Sequence, residues 1–77
     1  MHKLTYVTTE EGDWEGIYVD DKLSQEGHRL SAEDYLDVVT TYNNFTNDYE
    51  HIGLSDDQME SLGFSLPDTL AEVKAVL

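Results

Sequence analysis

The run Trp14-Glu15-Gly16-Ile17-Tyr18-Val19-Asp20-Asp21-Lys22-Leu23-Ser24-Gln25 decides how the chain is read. Its first six residues are rich in aromatic and β-branched types, which suit a pleated, half-buried surface. Asp20-Asp21 is a two-residue turn candidate, because Asp tolerates the left-handed conformation such turns need. Lys22 to Gln25 then forms a short third strand. Upstream, Lys3-Leu4-Thr5-Tyr6-Val7-Thr8 alternates as a first strand. Thr9 to Asp13 is a loop of hairpin length, with Gly12 free to take a positive φ. An antiparallel β-hairpin extended to a three-stranded meander is therefore expected. Trp14 and Tyr18 share one face of the second strand and Ile17 and Val19 the other, so both faces should be partly covered.

Downstream the pattern changes to helix. Three times a hydrophobic residue precedes a Ser that has Asp or Gln three positions later: Leu30-Ser31 with Asp34, Leu54-Ser55 with Gln58, and Phe64-Ser65 with Asp68. A Ser oxygen in that position accepts from a first-turn amide while the later side chain reaches back. Three helix starts follow. The first helix spans Ala32 to Tyr42, with Tyr35, Val38, Val39 and Tyr42 joined by Ala32 and Leu36 on one stripe. The second spans Asp56 to Leu62, with Gly63 as its left-handed terminus. The third carries Leu66, Leu70, Val73 and Leu77, with Pro67 in its first turn. Asn43 to Gly53, rich in Asn, Thr and Asp, reads as a loop anchored by Phe45, Tyr49 and Ile52. The expected class is α+β, with the small N-terminal meander packed against two or three short C-terminal helices in one domain over residues 1–77.

The chain is 77 residues long, too short for a second core. A domain of this size buries only about 60% of its unfolded surface. It has no cysteine, so neither a disulfide nor a thiolate zinc site staples it. Its eight aromatic residues argue for a core rather than a disordered acidic tail. No apolar run reaches membrane-spanning length, and Met1 to Thr5 shows no apolar leader, so a cytoplasmic location is expected.

The familiar chemical motifs are missing. Glu10-Glu11, Asp20-Asp21 and Asp56-Asp57 sit at turns or helix starts, where carboxylates complement the helix dipole. His2, His28 and His51 lie far apart, and His28 falls in the connector Glu26-Gly27-His28-Arg29. Asn43 to Asp48 lacks the Gly a calcium loop requires, and Asp20-Asp21 lacks its alternation. No phosphate-binding loop or nucleophile motif occurs. Glu60-Ser61-Leu62 is similar to the modified triplet of acyl carrier proteins, but Gly63 ends that helix at once and the N-terminal half reads as strand. No enzyme, metal or cofactor is expected.

What remains is charge. Four basic residues against 17 acidic ones give −13 at neutral pH. Such a surface repels nucleic acid and anionic lipid, so neither is an expected partner. Acidity also serves general solubility, and chains adapted to high salt share it. Here, however, the acids concentrate between Glu10 and Asp37, where ten oppose only Lys22 and Arg29. Carboxylates one helical turn apart lie about 5–6 Å from each other, comparable to successive phosphates on a strand. The candidate partner-binding residues are Glu10, Glu11, Asp13, Glu15, Asp20, Asp21, Glu33, Asp34 and Asp37.

In size, charge and α+β pattern, with Gly12-Asp13-Trp14-Glu15-Gly16-Ile17-Tyr18-Val19 as its most distinctive stretch, the chain resembles the small acidic bacteriophage proteins that mimic DNA. Within that group it looks most like those that inhibit the histone-like nucleoid protein HU. The resemblance implies a basic DNA-binding protein as partner, with HU leading, its DNA-binding face blocked, and action in the host bacterial cytoplasm or nucleoid. A different class of function is a small adaptor that binds another protein through aromatics, with Trp14, Tyr18 and Phe45 as candidates. The sequence leaves the oligomeric state open.

Overall fold

The β-branched and aromatic runs do form strands in a computed structural model of the chain, which describes residues 1–10 and 12–77. In chain order the elements are β1 (His2–Thr9), β2 (Glu15–Val19), β3 (Lys22–Gly27), α1 (Ala32–Tyr42), β4 (Phe45–Leu54), α2 (Asp56–Ser61) and α3 (Leu70–Lys74). The expected meander is present: β1 pairs antiparallel with β2, and β2 with β3. Gly12 takes φ +72° in the first loop, and Asp20 takes φ +56° in the two-residue turn. β3 runs on to Gly27, two residues past its expected end.

The sheet is not three-stranded, however. Its order is β3-β2-β1-β4, and β4, parallel to β1, takes up most of the stretch Asn43 to Gly53 that was expected to be a loop. Asn43 and Asn44, at φ +56° and +53°, turn the chain out of α1. Beyond them Ile52 and Leu54 point inward and are buried, while Tyr49, His51 and Gly53, on the alternate positions, are exposed. Of the polar residues that suggested a loop, Asn43 and Asn44 precede the strand, and Asn47 and Asp48 are exposed on its edge.

Both sheet faces are covered. Leu4 and Tyr6 of β1 lie opposite Val19 and Ile17 of β2, and this face packs with Leu30, Val38, Tyr35 and Tyr42 beneath α1. The other face carries Val7, Tyr18, Ile52 and Leu54, packed with Met59, Leu66, Leu70 and Val73 from the C-terminal segment. α1 thus links β3 at one edge of the sheet to β4 at the other, and α2 and α3 close the opposite face. Each large side chain so buried contributes about 1.5–3 kcal/mol.

Two of the three expected caps form as reciprocal capping boxes. Ser31 accepts from the Asp34 amide while Asp34 reaches back, and Ser55 does the same with Gln58. The third does not: α3 starts at Leu70 with Thr69 as its cap, and both Ser65 and Pro67 lie outside it. Gly63 and Phe64, at φ +74° and +58°, redirect the chain after α2. The following residues run alongside the sheet, so their peptide groups serve β2 and β3. The Asp68 carbonyl accepts from the Leu23 amide, and the Pro67 carbonyl accepts from the Tyr18 hydroxyl at 2.6 Å. A helix from Ser65 would lose those bonds. The stripe of α1 is narrower than expected: Val38 is buried, but Leu36 is 59% and Val39 39% exposed. Leu77, expected on the α3 stripe, is 61% exposed.

Candidate acidic binding surface

The nine candidate acids do not gather at one place. Glu10 and Asp13 sit in the β1–β2 loop and Asp20 and Asp21 in the β2–β3 turn, at opposite ends of the strands. Eight residues of β1 separate the two groups by about 25 Å. Glu33, Asp34 and Asp37 ride on α1. Glu11 lies outside the described residues.

Most of the described candidates have a structural bond as well. Glu15 is half-buried: one carboxylate oxygen accepts from the Leu30 amide and the other from the Tyr6 hydroxyl, both at 2.9 Å. Desolvation, helped by bonding to Tyr35 and Glu15, pushes the Tyr6 phenol above its ordinary value. Asp20 lies 2.7 Å from the His2 ring and accepts from the Lys3 amide at 3.0 Å, which holds its carboxyl below the usual range. Asp21 accepts from the Ala71 amide at 2.8 Å, satisfying an otherwise free donor at the start of α3. Asp34 belongs to the α1 capping box. Glu10 accepts from the Asp56 amide at 3.3 Å and Asp13 from the Thr9 hydroxyl at 3.1 Å. Glu33 and Asp37 are exposed, and their carboxylates make no hydrogen bond or ion pair among the described residues.

These bonds give the acids local work without neutralising them. An amide or hydroxyl donor leaves the carboxylate its full negative charge. Ion pairs do neutralise, and among the described residues one joins permanently charged groups: Lys74 lies 3.1 Å from Glu50. The structural bonds therefore subtract almost nothing from the field of the molecule.

The tertiary fold also gathers acids that lie far apart in the chain. Asp13, Asp56, Asp57 and Glu60 line an open groove of about 460 Å³, together with Trp14 and the strongly exposed Phe64. The groove lies between the β1–β2 loop and α2, so Asp56 and Asp57 face the same space as Asp13. The acid pairs along the chain gave no sign of this, because the approach of α2 to the loop is a tertiary event. At the other end, Asp20 and Asp21 share a second recess with Asp68. Among the described residues, no three His, Asp or Glu side chains converge as metal ligands.

Of the aromatic candidates, Tyr18 is fully buried and its hydroxyl is bound to Pro67, so it is no contact residue. Burial, with help from nearby Glu26, Asp68 and Glu72, pushes its phenol upward as well. Trp14 and Phe45 are half-buried; the Trp14 indole donates to Glu26 at 3.1 Å and its ring meets the His28 edge. The aromatics most open to solvent are Tyr49 and Phe64. Among the described residues, no helix is long and apolar enough to cross a membrane. No protein-family model, curated protein or solved structure matches the chain.

Proposed function

We propose that the protein is an acidic DNA mimic that occupies the DNA-binding face of a basic protein, with a nucleoid protein of the HU type as lead candidate. One observation carries this reading. The molecule measures 34 × 23 × 18 Å and bears a net charge of −13. A duplex carries one phosphate charge per about 1.7 Å of axis, or about 20 over the same 34 Å. The protein thus has roughly two-thirds of the line charge of DNA along its longest dimension. At a distance comparable to the Debye length, line charge governs attraction and the placing of individual carboxylates matters little. Acids at both ends of the sheet and along α1 contribute together, without one continuous patch.

The test is competition. A labelled duplex bound to a purified HU-type protein is titrated with this chain at 50 and 200 mM salt. Displacement is expected at 50 mM, weakened at least about tenfold at 200 mM. Replacing Glu33 and Asp37 by Lys, which touches no structural bond, should weaken it further. Absence of displacement at 50 mM would refute the proposal.

A further inference from the structure

The two edges of the sheet are finished differently. At the start of β3 the chain covers its own edge: the Leu23 amide donates to the Asp68 carbonyl, and Lys22 bridges to Thr69. β4 has no such cover among the described residues. The Glu10 amide donates to the Leu54 carbonyl at 2.7 Å, so the peptide group of Leu54 faces β1. By the alternation of a strand, Ile52 and Glu50 also face β1, and the peptide groups of Tyr49, His51 and Gly53 face outward. All three residues are exposed. Natural edges are usually blunted by Lys or Pro, and Phe45 to Leu54 contains neither. What the strand carries instead is Asp48, exposed and without an ion pair among the described residues, and Glu50, which Lys74 neutralises at 3.1 Å.

That choice of charge selects the occupant. A second copy would bring its own Asp48 and a second net charge of −13 against this edge, and like charges brought together are destabilising. A cationic strand meets attraction instead. We propose that the outer edge of β4 accepts an extended segment of a cationic protein as a fifth strand, held through the outward peptide groups of Tyr49, His51 and Gly53. This rests on the reading of the protein as a binder of basic partners and adds to it a defined mode of docking. Long-range charge brings the partner in, and main-chain hydrogen bonds fix it in register. The segment that fits alternates cationic and apolar residues, since an apolar side chain packs on the exposed Tyr49 and His51 of one face while a cationic one answers the net negative charge of the body.

The experiment compares two peptides of equal charge at 50 mM salt. One is an eight-residue alternating Lys-Val peptide, and the other an eight-residue alternating Lys-Gly peptide, which forms strand poorly. Amide hydrogen exchange of Tyr49, His51 and Gly53 is followed by NMR alongside affinity. The Lys-Val peptide is expected to bind at least about tenfold tighter and to slow exchange at those three amides at least about tenfold. Tyr49→Pro removes an outward donor without touching the β1 ladder; it should remove that advantage and leave Lys-Gly binding unchanged. Gly53→Pro does the same if Tyr49→Pro does not fold. Equal binding of both peptides with unchanged exchange overturns the edge proposal and leaves the charge reading standing. Failure of both peptides to bind overturns both. Slowed exchange that grows with protein concentration in the absence of peptide makes a second copy the occupant and overturns the proposal.

Discussion

Glu15 is both a candidate binding residue and the hinge of a buried network, so substituting it separates the two roles. In Glu15→Ala the Leu30 amide and the Tyr6 hydroxyl each lose a charged acceptor at 2.9 Å. Leu30 is only 8% exposed, so its amide finds water with difficulty. Hydrogen bonds to charged groups are worth about 1.5–3 kcal/mol each, and the Tyr6 hydroxyl regains part of its share from solvent. The net cost is about 2–4 kcal/mol, which for a domain of this size lowers Tm by roughly 10–30 °C. Glu15→Gln keeps one acceptor oxygen and should lose about half as much. Glu33→Ala is the control: it removes the same unit of charge from an exposed site and should stay within about 0.5 kcal/mol of wild type. Thermal unfolding followed by circular dichroism gives all three values. If Glu15→Ala and Glu33→Ala agree within about 0.5 kcal/mol, the structural role of Glu15 is refuted. The same pair bears on function. If partner affinity follows net charge, the two variants, both measured while folded, lose equal affinity despite unequal stability.

Two further outcomes follow from local geometry. Ser31→Ala and Ser55→Ala each break a capping box and should cost about 1 kcal/mol in denaturant unfolding, whereas Ser65→Ala, exposed and outside α3, should cost nothing measurable. Tyr6 and Tyr18 have phenols raised above the ordinary value of about 10, so their neutral forms support the fold fully below that pH. Above it the unfolded chain ionises first and stability falls as pH rises toward the folded-state values. In a titration of phenolate absorbance, part of the amplitude should appear late and together with unfolding. Tyr6→Phe and Tyr18→Phe should each remove one tyrosine's worth of that late amplitude, and an unchanged curve would contradict the burial argument.

The sequence by itself determined whatever closes within a few residues. The capping boxes at Ser31 and Ser55, the left-handed Asp20 turn and the β1–β2–β3 hairpins were legible because both partners of each bond are near in the chain. The net charge was legible too, since it is a sum and needs no geometry. Tertiary structure decided the rest. β4 became a strand because β1 offered its free edge: the hydrogen bond between Thr8 and His51 spans 43 positions, and no local pattern records such a partner. Ser65, with the same local signature as Ser31 and Ser55, did not start a helix because β2 and β3 took the peptide groups of the residues after it. The acids divided in the same way. Their number came from composition, but whether a carboxylate holds an amide, as Glu15 and Asp21 do, or faces a shared groove, as Asp13 and Asp56 do, depended on which distant segment the fold brought beside it. Local bonds can be read from spacing; contacts between remote segments form only where the packed core places them.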